Sequence, residues 1–260
     1  MTSPREAVND SVEALYAAFA GRKLPGYGLN LCTRCCTTQD RIDNIVQTPL
    51  RQLSSDDLWP YYLSANYGER TDQELSYFAP RLLELISFGD DPSQNHLSAN
   101  FIGCSRSGLA DLSESEHSAL RTYAEAMARY TLCDPQSGEN FVDPVEFMLM
   151  CVALGLGPHA VLDLVKSPPP DHDETSLVLL VEKLIDLLAG DSPYRFGYAA
   201  PDPLRSQVQA IILSPEILVM LEELALRDDN SWEYEFVARV ASTNYDVISS
   251  MIEEDWKLTG

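Results

Sequence analysis

A chain of 260 residues, 45% of them hydrophobic and 9% aromatic, has the make-up of a folded protein near the upper size for a single core. Forty acidic residues against eighteen basic ones give a formal charge of −22, which argues against nucleic acid or anionic lipid as a direct partner. No window approaches the roughly 18 uninterrupted apolar residues of a membrane span, so none is expected.

Helical periodicity runs through the chain, with capping residues at its starts. Val8, Val12, Leu15, Tyr16 and Phe19 recur at helical spacing and predict a first helix with one apolar face. Gly21 to Thr38 reads as a loop rich in Gly, Pro and Cys. Ser54 and Asp57 stand as a cap ahead of a helix over Leu58 to Ala65. Thr71-Asp-Gln-Glu74 has the capping-box form, in which hydroxyl and carboxylate each satisfy a backbone donor near the other. The helix it opens runs through Leu75, Phe78, Leu82, Leu83 and Ile86, and Pro80 is expected to kink or split it. A second box, Ser113-Glu-Ser-Glu116, opens a helix with Leu120, Tyr123, Met127 and Tyr130 on one face.

Proline marks the helix starts of the second half. Asp143-Pro144, Gly157-Pro158, Asp202-Pro203 and Ser214-Pro215 each pair a cap residue with proline at the first helical position. Ser176 to Ala189 is apolar on nearly every face and predicts a central buried helix. A last long helix is expected from Ser231 through Phe236, Val240, Val247 and Ile248, and only Tyr194 to Tyr198 suggests a strand. The class is therefore all-α, with about nine to eleven helices: an irregular multi-helix bundle, or short helices stacked as an irregular solenoid. One all-α domain over 1–260 is expected, divisible into an N-terminal half, 1–133, and a more acidic C-terminal half, 134–260. The acid is uneven: residues 1–130 carry 17 acids and 11 bases, net −6, whereas 131–260 carry 23 and 7, net −16.

Chemistry-bearing motifs are few. Cys32-Thr-Arg-Cys35-Cys36 offers up to three thiolates of a tetrahedral zinc site, and a fourth ligand would have to come from Cys104, Cys133, Cys151 or a histidine. The same thiols could equally pack as small hydrophobes. Redox use would favour a helix N-terminus beside the thiol, which this loop does not clearly offer in sequence. With no secretion signal in Met1-Thr-Ser-Pro-Arg-Glu-Ala, a reduced, cytoplasmic chain is expected. His172-Asp173 has the form of a metal-phosphohydrolase pair but lies in a loop directly after Pro168, Pro169 and Pro170. Glu114-x-x-His117 is half of a di-iron motif, and there is no second half. Nucleophile elbow, phosphate loop, dinucleotide fingerprint and zinc-protease helix are all missing, so no catalytic residue is assigned and the chain is read as a non-enzyme.

Asp228, Asp229, Glu233 and Glu235 surround Trp232 and Tyr234, and Glu253-Glu-Asp255-Trp256 repeats the theme. Aromatic anchors ringed by acid suit a basic protein partner, although a solvated helix N-terminus with Trp232 packed inward has the same composition.

Leu15-Tyr-Ala-Ala-Phe19, Cys32-x-x-Cys-Cys36, Thr48-Pro-Leu-Arg-Gln-Leu53, Asp57-Leu58, Tyr61 to Ala65 and Phe78-x-Pro-Arg-Leu-Leu-Glu-Leu85 together resemble a group of bacterial all-helical proteins of no known activity. The resemblance covers roughly residues 12–90. It implies a bacterial origin and a helical fold, and carries over no functional residue. The functional expectation rests on charge and on the lack of chemistry: an immunity- or antitoxin-like inhibitor of a basic, nucleic-acid-directed toxin. The alternative is a non-catalytic adaptor or scaffold, with zinc as the one cofactor the cysteines would admit.

Overall fold

A computed structural model of the chain describes residues 2–26, 28–29, 31–34, 36–63, 72–90, 111–133 and 143–189, with single positions between 207 and 219. All regular structure among the described residues is helical: α1 (Pro4–Ala18), α2 (Gln39–Gln47), a 3-10 turn (Leu50–Gln52), α3 (Ser55–Leu63), α4 (Asp72–Ser87), α5 (Glu114–Cys133), α6 (Pro144–Ala153), α7 (His159–Lys166) and α8 (Glu174–Ala189). The fold is all-α. The chain divides into two compact units, Met1–Ala160 and Val161–Gly260.

In the first unit, α1 starts on a capping box formed by Ser3 and Glu6. The Ser3 hydroxyl accepts from the Glu6 N–H at 3.2 Å, and the Glu6 carboxylate accepts from the Ser3 N–H at 2.9 Å. Pro4 supplies a preset φ at the first helical position, where its missing N–H costs nothing. Val8, Val12 and Leu15, with Phe19 at the C-cap, form the buried face. That face packs on α4 and α5. A contact between the first helix and one about a hundred residues later closes a bundle; a solenoid would join sequence neighbours only. The core between them holds Phe78, Leu82, Leu83 and Ile86 of α4 and Leu120, Tyr123 and Met127 of α5. Burying each such side chain contributes about 1.5–3 kcal/mol. Tyr123 keeps its hydroxyl satisfied at full burial by donating to the Leu83 carbonyl at 2.8 Å, with the Ser87 hydroxyl 3.0 Å away.

Helix α2 carries a weak apolar pattern, with only Ile42 and Ile45 of its nine residues buried. Thr38 caps it. α3 opens as expected on Ser54 and Asp57, which exchange backbone and side-chain hydrogen bonds of 2.7–3.2 Å. Pro60 lies inside α3 and has no N–H for the Asp56 carbonyl four residues earlier; the Arg41 guanidinium donates to that carbonyl at 3.1 Å instead.

Pro80 does not split α4, which runs unbroken over sixteen residues. Leu75, Phe78, Ala79, Leu82, Leu83, Leu85 and Ile86 are all buried, and that packing outweighs the ~3 kcal/mol penalty of an interior proline. Four residues before it, Ser76 is fully buried and its hydroxyl finds no hydrogen-bond partner among the described residues. Ser76→Ala should therefore raise the thermal midpoint, by the equivalent of about 1 kcal/mol, because it removes a desolvated polar group and improves helix propensity. A lowered midpoint would show the hydroxyl to be hydrogen-bonded in solution.

α5 opens on the predicted box, the Glu116 carboxylate accepting from the Ser113 N–H at 2.7 Å and the Ser113 hydroxyl accepting from the Glu116 N–H at 3.3 Å. α6 opens on Asp143, whose carboxylate accepts from the Val145 and Glu146 N–H groups, with Pro144 at the first position. The start predicted at Gly157-Pro158 falls one residue later, with α7 beginning at His159.

In the second unit, α8 is capped by Asp173, which accepts from the Ser176 N–H at 2.8 Å and its hydroxyl at 2.9 Å. Leu177, Val178, Leu180, Val181 and Leu184 are buried, while Leu179 and Lys183 are partly exposed, so one side of the helix opens outward. Thr71, Tyr194 to Tyr198, Asp202, Pro203, Pro215 and the helix expected from Ser231 lie outside the described residues. No helix among the described residues is long and apolar enough to cross a membrane.

Candidate functional site

The basic side chains of the first unit show how its surface charge arises. Arg22 grips Glu116 with two parallel bonds of 2.6 and 2.7 Å and also donates to the Asp111 carbonyl at 2.8 Å. Arg51 grips Glu13 in the same bidentate way, at 2.6 and 2.8 Å, while its guanidinium lies 3.8 Å from the centre of the Tyr16 ring. The Tyr16 hydroxyl donates to Glu84 at 2.5 Å; Arg81 bonds the same carboxylate oxygen at 2.5 Å and donates to the Leu53 carbonyl at 2.6 Å. Burial first, and then the Glu84 carboxylate, push the Tyr16 hydroxyl well above the ordinary phenol range. Thus Leu15–Phe19, Thr48–Leu53 and Phe78–Leu85, separate motifs in the sequence, meet in one polar network. Arg5 donates to the Ser87 carbonyl at 2.8 Å and lies over Phe88 at 4.4 Å.

Five arginines are therefore drawn into internal contacts, counting Arg41 on the Asp56 carbonyl. Asp10, Asp40, Asp56, Glu114 and Glu125 are exposed and enter no ion pair among the described residues. Large exposed hydrophobic side chains are sparse on the described surface: Val46, Phe88 and Val219. Acids outnumber bases in both units. By unit, Met1–Ala160 holds 21 acids and 11 bases, net −10, and the shorter Val161–Gly260 holds 19 and 7, net −12.

The Arg22 pair sets a pH dependence. The guanidinium, followed by the Ser113 hydrogen bonds, holds the Glu116 carboxyl down at about 2, below its usual 4.5, against the opposing pull of burial. A depressed folded-state pKa contributes stability that is complete above the unfolded value and is lost as pH falls from 4.5 towards 2. Glu116→Gln should thus be less stable than the parent at neutral pH, and the gap should narrow below pH 4.5 and close near pH 2. Denaturant titrations of both proteins across that range would check it; a gap independent of pH would disprove the pairing.

At the cysteine loop, the Cys36 and Thr37 N–H groups both donate to the Cys32 carbonyl, at 3.3 and 3.2 Å, closing a turn between two partly exposed thiols. A helix N-terminus does follow it, since α2 begins three residues after Cys36. Cys35 and Cys104 lie outside the described residues. Two cysteines on one turn supply half a zinc set, and the described residues gather no group of three or more His, Cys, Asp or Glu able to hold a metal. Cys151 is 1% exposed and burial pushes its thiol up to about 12, so it stays protonated and unreactive. Asp173, half of the His172-Asp173 pair, is occupied as the α8 cap, and the His172 ring nitrogen Nδ1 lies 2.6 Å from the Pro169 carbonyl. Glu114 is an exposed first-turn acid of α5.

The acidic and aromatic residues singled out for a partner, Asp228, Asp229, Trp232, Glu233, Tyr234 and Glu235, all lie outside the described residues. What the sequence could not show is the commitment of the arginines: the partners of Arg22 and Arg51 are 94 and 38 residues away. No known protein family, curated protein or solved structure matches the chain.

Proposed function

We propose that the chain is an inhibitor of the immunity or antitoxin kind, a bacterial cytoplasmic protein that covers the basic active surface of a toxin directed at nucleic acid. The observation that supports this is the charge arrangement. Five arginines of the first unit are held by carboxylates and carbonyls of that unit, which carries a net −10, while the second unit carries −12 in a hundred residues. A protein that cleaves or modifies nucleic acid needs Lys and Arg at its active surface to meet phosphate. An acidic surface presents carboxylates to those same cations, draws the partner in by long-range attraction and blocks substrate by occupancy, with no chemistry of its own. In this reading Asp228, Asp229, Glu233 and Glu235 form the charged rim, and Trp232 and Tyr234 the anchors.

The test has two steps. The tagged chain is used to capture partners from the bacterium that makes it, and the captured protein is identified by mass spectrometry. The purified partner is then assayed on RNA and DNA with increasing amounts of the chain. A basic partner whose nucleic-acid activity is lost near an equimolar ratio is the expected result. A partner without a basic surface, or one whose activity is unchanged when saturated, would overturn the proposal and leave an adaptor or scaffold.

A further inference from the structure

We draw no further inference here: the strongest candidate, the exposed Phe88 ring at the C-terminal end of α4 with the Arg5 guanidinium on its face, is an isolated apolar patch, and nothing in the structure shows what covers it.

Discussion

Leu180→Asp is expected to abolish folding of the second unit. Leu180 is 1% exposed in α8, and Leu177, Val181 and Leu184 on the same side are 0–3% exposed. Removing the leucine side chain alone costs about 2–5 kcal/mol in a packed core. A carboxylate in its place is buried among apolar side chains and must stay charged at a penalty of several kcal/mol or take up a proton. Either way the loss approaches the roughly 5–15 kcal/mol that holds a domain together. Leu179→Asp is the control, since that residue is partly exposed on the outward side of the same helix and should change stability far less. Circular dichroism melting and soluble yield of the two variants would show the contrast. A soluble Leu180→Asp protein with unchanged melting would mean that the apolar side of α8 is a surface.

Binding to a basic partner should weaken sharply as salt rises, and the change should lie in the association rate. The Debye length falls from roughly 30 Å at 0.01 M salt to about 8 Å at 0.15 M, which removes most of the long-range attraction of a −22 chain. Steering of this kind is worth about 10- to 1,000-fold in rate. Reversing Asp228, Asp229, Glu233 and Glu235 to lysine moves the net charge from −22 to −14 and should lower the association rate with little effect on dissociation. Trp232→Ala should do the opposite, speeding dissociation by about 30-fold or more if the ring is an anchor worth about 2 kcal/mol. Melting should be nearly unchanged in the fourfold reversal, because exposed ion pairs contribute about 0–1 kcal/mol each. Stopped-flow or surface-capture kinetics between 0.01 and 0.15 M salt would separate the rates. Indifference both to salt and to the four reversals would leave the acid with a solubility role alone.

The helix starts were the most legible part of the sequence, because a cap is a local device. Ser54 with Asp57, Ser113 with Glu116, and Asp143 ahead of Pro144 each act within one turn, and the structure shows the bonds of each cap, those of Asp143 running to the Val145 and Glu146 N–H groups. Ser3 with Glu6 has the same spacing and could have been read in the same way. Boundaries set by tertiary packing were harder. α2 has too few apolar residues to announce itself, and α4 continues through Pro80 because the packing of its neighbours outweighs the gap in its hydrogen bonding. Asp173 shows how a suggestive pair misleads: its carboxylate caps a helix that begins one residue later. Least legible were the polar partners. Arg81, Glu84 and Tyr16 are unremarkable charges and rings until folding joins them, and no spacing rule connects residues 16, 51 and 84.

The packing of α1 against α5 has a consequence for how the chain is made. The apolar face of α1 is complete once Phe19 has been synthesised, yet α5, one of the two helices that cover it, ends at Cys133. At about 5–20 residues per second, the 115 residues between Ala18 and Cys133 take roughly 6–23 s. An isolated helix of fifteen residues is marginal in water, so until α4 and α5 have both been made the face of Val8, Val12, Leu15 and Phe19 is only partly covered. The first unit closes late: α4 can cover part of that face once Ser87 has been made, and the rest waits for α5. A ribosome stalled before α5 would hold a first unit that still lacks one of the two helices covering α1, a chain that chaperones recognise and proteases cut.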